Sequence, residues 1–318
     1  MPSSAMRFIA NMISLPVISQ GTLPSRHYLT PPQARTERLP NWFKIIPKTG
    51  NGYLKIRRLA KELDLHTVCE EAQCPNRWEC WNAGTATFMI LGGICTRSCG
   101  FCSVPFGKPT ALDHEEPSRL AEAIATLGIK HAVITSVNRD ELENGGAEIF
   151  AESVRKIREK NPDCTVELLI PDFQGKGEAL DIVLSARPHI IGHNIETVPR
   201  LYKTVRPQAK YCRSLQVLSR AKRERFMIKT GMMVGLGESL EEVFSVIGDL
   251  IEVGCDILTI GQYLQPTQKH VPVDRFVAPE EFLNIKEKGE AMGLRYIEAG
   301  PLVRSSYHAE RQLKEASV

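Results

Sequence analysis

A chain of 318 residues with 40 Lys and Arg against 37 Asp and Glu can bury a sizeable core, and it lacks the charge excess of a broad nucleic-acid footprint. The whole excess lies in the first 36 residues, where Arg7, Arg26 and Arg35 stand without an acid, so the remaining chain is balanced and leaves room for an acidic protein partner. No apolar run approaches the roughly eighteen residues a bilayer span needs, which argues against a membrane protein.

Residues 1–40 hold Pro2, Pro16, Pro24, Pro31, Pro32 and Pro40 without sustained periodicity and read as a leader with little regular structure. Phe8 to Ile18 is its nearest approach to a signal-peptide core, but Asn11 and Pro16 interrupt it. The leader also matches an organellar transit peptide weakly, so the expectation is a cytoplasmic protein, organellar if the leader is a transit peptide.

Residues 41–84 read as an N-terminal extension, with an amphipathic helix over Tyr53 to Leu65 on the stripe Leu54, Leu59 and Leu63. Short apolar runs then alternate with helical patterns. Strands are expected at Thr87 to Leu91, Ala132 to Ser136, Val166 to Ile170, Ile190 to His193, Met227 to Val234 and Ile257 to Gly261. Leu120, Ala123, Ile124 and Leu127 mark a helix behind a Ser118 cap, and Ser239 with Glu242 forms a capping box ahead of Val243, Ile247, Leu250 and Ile251. Repeated strand–helix units imply parallel strands, and about six of them predict an α/β fold, a partial (β/α)6 barrel over residues 85–275. Residues 276–318 form a C-terminal extension. Chemistry in such barrels gathers on the loops that follow the strands.

Six of the nine cysteines lie between residues 69 and 102, while Cys164, Cys212 and Cys255 stand apart as small buried hydrophobes. A disulfide framework does not suit so long a chain without a secretory signal. Directly after the first barrel strand, Cys95, Cys99 and Cys102 follow a Cys-x3-Cys-x2-Cys spacing. Three thiolates leave one iron of a four-iron cluster free for a ligand. Zinc is the competing reading, although its usual two short pairs are absent. Upstream, Cys69, Cys74 and Cys80 make a second trio, Cys-x4-Cys-x5-Cys, for which zinc or mere crowding is again the simpler alternative.

The downstream trio, with Phe101 before its last cysteine, resembles the signature of the radical S-adenosylmethionine superfamily. That resemblance makes Cys95, Cys99 and Cys102 ligands of a 4Fe-4S cluster whose open iron chelates S-adenosylmethionine, with Phe101 near the adenine. Gly145 and Gly146 resemble the glycine-rich contact to the methionine end, and the stretch from Gly231 to Glu238 resembles the adenine-contacting one. A loop breaking into a helix explains each glycine group equally well on sequence. Asn194 and Glu196, past the fourth strand, offer hydrogen bonds to ribose or carboxylate, or form a surface loop.

The segment from Cys69 to Cys80 is similar to the lipoyl synthase family, as are Thr135 to Asp140, His193 to Pro199, Gly261 to Thr267 and Arg304 to Ala309. The resemblance implies radical insertion of two sulfur atoms, at C6 and C8 of an octanoyl chain on a lysine of a carrier domain. It implies a second, auxiliary 4Fe-4S cluster on Cys69, Cys74 and Cys80 as sulfur donor, with a serine of the Arg304-Ser305-Ser306-Tyr307 motif as fourth ligand: Ser306, with Ser305 the alternative. Implied partners are octanoylated carrier domains of 2-oxoacid dehydrogenase subunits and the glycine cleavage H protein, and an electron donor such as ferredoxin or flavodoxin, with no nucleic acid and no membrane. Two rival readings are a biotin synthase-like enzyme, against which the upstream trio argues, and a non-catalytic carrier with two ferredoxin-like clusters.

Overall fold

The computed structural model describes residues 39–45, 50–83 and 85–316, so the expected leader lies almost wholly outside the described residues. Residues 39–318 form one compact unit. Its sheet has eight strands in sequential order: β1 (His66–Thr67), β2 (Thr87–Ile90), β3 (His131–Ser136), β4 (Thr165–Leu169), β5 (Ile190–Gly192), β6 (Met227–Val234), β7 (Ile257–Gln262) and β8 (Tyr296–Gly300). Strands β2 to β8 pair in parallel, and β1 pairs antiparallel with β2 at one edge. All six expected strands are present, and β8 adds a seventh parallel one. Tyr296–Gly300 escapes a pattern reading because Ile297 is its only buried residue. The two residues of β1 carry no periodicity at all.

Helix α1 (Asn51–Glu62) precedes β1, and two short helices, α2 (Val68–Glu71) and α3 (Arg77–Asn82), carry Cys69 and Cys80, with Cys74 in the turn between them. The crossovers are α4 (Glu116–Leu127), α5 (Ala147–Lys160), α6 (Gly177–Ser185), α7 (Tyr202–Val205) with α8 (Tyr211–Arg223), α9 (Leu240–Glu252) and α10 (Pro279–Ala291), and α11 (Ala309–Glu315) ends the described chain. Three expectations change. The buried face of α1 is Tyr53, Ile56 and Ala60, with Leu54 exposed, because Tyr53 stacks on Trp78 and packs on Trp81 at 4.6 and 5.0 Å between ring centres. Helix α4 starts ahead of Ser118, behind Glu115, since Pro117 in the first turn has no N–H to lose. Cys212 is exposed, whereas Cys164 and Cys255 are buried as expected. The capping box at Ser239 stands, with Ser239 Oγ accepting from Glu242 N at 3.2 Å and Glu242 Oε2 from Ser239 N at 2.9 Å.

Side chains alternate across each strand, so one parity faces the barrel interior. At the lower end that parity brings in His131, Glu167 and Lys229, all buried, with Lys229 Nζ 2.7 Å from Glu167 Oε1. Burial works to raise the Glu167 carboxyl, but the lysine charge prevails and the net shift is downward. Beside these charges the register sets the buried apolar Val133, Ile190 and Ile257, so the lower layer combines an ion pair with apolar side chains.

His193, at the end of β5, is buried with Nδ1 2.8 Å from Ile170 O and Nε2 2.9 Å from Ser214 Oγ. Burial, with the nearby Arg206 charge, holds its pKa down to about 4, against about 6.5 for a free imidazole. The unfolded chain therefore binds the extra proton between those values, and stability falls as pH drops from about 6.5 towards 4. Urea midpoints across this window should decline in the wild type, with one proton's worth of slope missing in His193→Gln. A variant that keeps the full slope would show that another group carries it.

Candidate functional site

A cavity of about 490 Å3 opens above the carboxyl ends of the strands. Thr87 and Met89 of β2, Thr135 of β3, Leu169 of β4, Gly231 and Met233 of β6 and Thr259 and Gly261 of β7 line it, the inward parity continued upward from the lower layer. Cys69, Cys74, Cys95, Cys99 and Cys102 line it too, together with Phe101, Asn194, Glu196, Ser305 and Ser306. Chemistry expected on separate loops thus meets in one chamber. Cys80 stands beside Cys69 and Cys74, near enough for their charges to interact.

None of the six cysteines forms a disulfide. Burial pushes the Cys69 and Cys74 thiols up, Cys80 and Cys99 to about 12 and Cys102 to about 11. Such thiols are protonated at neutral pH and are poor free nucleophiles, whereas a bound metal deprotonates them outright. Cys95 Sγ accepts two backbone N–H groups, from Asn138 at 3.3 Å and Arg97 at 3.4 Å, the outer contacts that suit a metal-bound sulfur. Among the described residues no three His, Cys, Asp or Glu side chains close on a single metal ion. The donor set fits iron–sulfur clusters: Cys95, Cys99 and Cys102 line the chamber together with Cys69 and Cys74, and Cys80 stands beside the latter two.

The loop of the second trio is held from beneath. Arg97 is buried and its guanidinium reaches Asp140 at 2.6 and 2.8 Å and Asp172 at 2.6 Å, while Arg213 meets Asp172 at 3.1 Å. Burial would raise the Asp172 carboxyl, yet the Arg97 bond and charge hold it down to about 2. A buried arginine shared by two carboxylates fixes the loop between its first and second cysteines.

On the far side, Asn194 Nδ2 donates to Ser305 Oγ at 2.8 Å, and Arg206 Nη1 donates to Asn194 O at 2.7 Å. Glu196 adopts φ 66°, a left-handed conformation costly for a residue with a Cβ, because it leaves β5 to bond Met233 N at 2.8 Å through its carbonyl. Burial raises its carboxyl, opposed by the Arg206 charge. Phe101 packs beside Val205, Leu236, Tyr263 and Val273. Buried polar atoms without a partner among the described residues include Ser136 Oγ, Asn138 Oδ1 and Arg206 Nε, all on cavity-lining residues. Unpaired groups of this kind mark a site built for a polar ligand. Pattern reading missed Ser136, Asn138 and Arg206 as candidate ligand contacts, although the first two sit in the Thr135 to Asp140 run, Ser136 ending β3 and Asn138 following it.

Gly145 and Gly146 are not among the cavity-lining residues. Gly146 caps α5 at φ 84°, and a Cβ there would overlap the Leu91 side chain. In the Gly231 to Glu238 stretch, Gly231, Met232 and Met233 line the cavity, whereas Glu238 accepts Gly235 N at 2.6 Å and Leu236 N at 2.9 Å to shape the turn into α9.

The C-terminal segment closes the chamber. Asn76 Nδ2 donates to Leu302 O at 2.6 Å, Thr87 Oγ1 to Ser306 Oγ at 2.6 Å, and Tyr307 OH to Glu79 at 3.2 Å. At Gly261 a Cβ would overlap the Val303 carbonyl, so this glycine lets the segment cross β7. The two serines diverge. Ser305 faces Asn194 and Gly231, while Ser306 faces Thr87, whose backbone N–H bonds the Cys69 thiol.

The radical SAM superfamily matches residues 89–250, and the N-terminal domain of lipoyl synthase of that family matches residues 25–74. The chain is similar to the lipoyl synthase of Rubrobacter xylanophilus, 56% identical over 87% of each chain. That of Koribacter versatilis is 55% identical over 86% of this chain and 90% of its own, and that of Symbiobacterium thermophilum 50% over 95% and 93%. Among solved structures, Streptococcus suis SuiB bound to S-adenosylmethionine superposes with TM-score 0.55 at 11% identity, covering 71% of this chain and 55% of that one, a likeness of fold alone.

Proposed function

The chain belongs to the lipoyl synthase family of radical S-adenosylmethionine enzymes, and from that premise we propose how its residues divide the work. Its activity is the insertion of two sulfur atoms at C6 and C8 of an octanoyl chain carried on a lysine of a lipoyl carrier protein. The superfamily implies one 4Fe-4S cluster with S-adenosylmethionine. Cys95, Cys99 and Cys102 are its proposed ligands. Cys69, Cys74 and Cys80, with Ser306, are proposed for an auxiliary 4Fe-4S cluster. When bound, the first cluster and S-adenosylmethionine supply the 5'-deoxyadenosyl radical that unactivated C–H bonds require, and the auxiliary cluster supplies sulfur.

The observation that carries this reading is the meeting of Cys69 and Cys74, of Cys95, Cys99 and Cys102, and of Arg304 to Ser306 around one cavity. Phe101, Asn194 and Glu196 are proposed to hold S-adenosylmethionine, joined by Ser136 Oγ, Asn138 Oδ1 and Arg206 Nε, which otherwise lack partners among the described residues. Arg97 and Asp172 keep the Cys95 loop in register. The Asn76, Thr87 and Tyr307 bonds keep the serine segment over the chamber and water out of it. Gly145 and Gly146, in the turn into α5, remain proposed for the methionine end of S-adenosylmethionine.

The carrier domains we propose are those of 2-oxoacid dehydrogenases and the glycine cleavage H protein, with ferredoxin or flavodoxin as electron donor. The bacterial sources of the relatives support a cytoplasmic setting. No helix among the described residues is long and apolar enough to cross a membrane. The test is anaerobic reaction of the reconstituted protein with an octanoylated carrier domain, S-adenosylmethionine and reductant. Mass spectrometry should show a gain of two sulfurs, with two 5'-deoxyadenosine formed per product. A carrier of electrons alone would leave S-adenosylmethionine uncleaved.

A further inference from the structure

Three segments are bonded to the loop that holds Cys95, Cys99 and Cys102. Pro105 O accepts Cys95 N at 2.8 Å and Gly107 N donates to Cys95 O at 2.9 Å. Val205 O accepts Gly100 N at 2.8 Å, and Gln208 Nε2 donates to Ser98 Oγ at 3.0 Å. Val271 N donates to Gly100 O at 2.8 Å, and the His270 ring bonds Cys102 O through Nε2 at 2.9 Å. Residues 94–110, 197–213 and 262–273, which contain these segments, have no Asp or Glu. They carry the exposed Lys108, Lys203, Lys210 and Lys269. Arg200 of the second segment is paired with Glu242, but none of these four lysines forms an ion pair among the described residues. Two residues before Lys108, Phe106 is 69% exposed, the largest such fraction among the exposed large apolar side chains of the described residues.

We propose that this basic collar around Phe106 is the docking surface for an acidic one-electron carrier protein that reduces the cluster on Cys95, Cys99 and Cys102; the proposal rests on the assignment of those ligands. Every anchoring bond described above runs to residues 95–102, so a protein seated on the collar stands directly over the loop into which the electron must pass. Unpaired lysines around one exposed aromatic suit a brief, electrostatically steered encounter, the usual character of small redox interfaces. One electron leaves the reduced carrier and enters the cluster; no bond forms or breaks, and the oxidised carrier departs. The octanoylated carrier domain is the other acidic protein to weigh here, but the collar segments make six bonds to residues 95–102 against one to the Cys69 segment, Ser103 Oγ to Glu71 O at 2.7 Å.

The test uses the reconstituted holoenzyme and reduced flavodoxin, an acidic carrier, followed by stopped-flow absorbance and by electron paramagnetic resonance of the reduced cluster. Changing Lys108, Lys203, Lys210 and Lys269 together to Glu should slow reduction by flavodoxin tenfold or more at low salt and remove the decline with added salt that the wild type should show. The four changes to Gln should give an intermediate rate. Reduction by dithionite, and KM for the octanoylated carrier domain, should stay unchanged. An unaltered flavodoxin rate would overturn the proposal, and so would an intact rate with a raised carrier-domain KM, which would assign the collar to that domain. A wild type that dithionite cannot reduce would bring down the ligand assignment itself, and the proposal with it.

Discussion

Replacing Cys95, Cys99 and Cys102 together by Ala is expected to abolish 5'-deoxyadenosine formation, whereas the same change at Cys69, Cys74 and Cys80 should spare cleavage and stop sulfur insertion. The asymmetry follows from where the thiols stand. Cys95 to Cys102 sit beside Glu196 and Arg206, the groups proposed for S-adenosylmethionine, with Cys99 close enough to feel both charges. Cys69, Cys74 and Cys80 interact with one another and lie below the serine segment. Iron and sulfide should fall in either triple variant from about eight per chain to about four, as expected when one of two cubanes is lost. Deoxyadenosine by mass spectrometry and product by carrier-domain mass separate the two functions. Equal loss of cleavage in both variants would refute the division.

Ser306→Cys should keep both clusters assembled while cutting sulfur insertion at least tenfold, with S-adenosylmethionine cleavage still measurable. An alkoxide is a harder and weaker ligand for iron than a thiolate, so it releases an iron that cysteine would retain, and sulfide becomes free only if that iron leaves. The geometry distinguishes this serine from its neighbour. Ser306 Oγ lies 2.6 Å from Thr87 Oγ1 on the Cys69 side, whereas Ser305 Oγ is bonded to Asn194 on the S-adenosylmethionine side. Both are buried enough in bonds to have structural roles, so the decisive reading is iron content alongside product. Product formed at the wild-type rate by Ser306→Cys would rule out a labile serine ligand here.

Much of the barrel is legible in the chain because its strands are buried on both faces. Ala132 to Ser136 and Ile257 to Gly261 are short apolar runs, and helices such as α9 advertise themselves by a capping box and a stripe. The elements that escape are those stabilised by neighbours rather than by pattern: β1, two residues on an edge, and β8, with one buried side chain. On α1 the stripe misleads, since Leu54 is more apolar than Ala60 and yet faces solvent. What decides that face is Tyr53 stacked between Trp78 and Trp81, which no helical periodicity reveals.

By itself the sequence determined the two cysteine trios and the parallel α/β frame, because close thiols and strand–helix alternation are local properties of the chain. Only the tertiary structure decided what joins them. Ser306 stands 219 residues from Thr87, yet their hydroxyls are 2.6 Å apart, and Arg97 finds Asp172 75 residues away. It likewise revealed Arg206 as a wall of the chamber and Gly146 as the N-cap of α5. Gly261 brings the C-terminal segment home by offering no Cβ where Val303 must cross. Such contacts depend on the closing of the whole barrel, which costs chain entropy that no local pattern records, and so they become visible only once the strands are side by side.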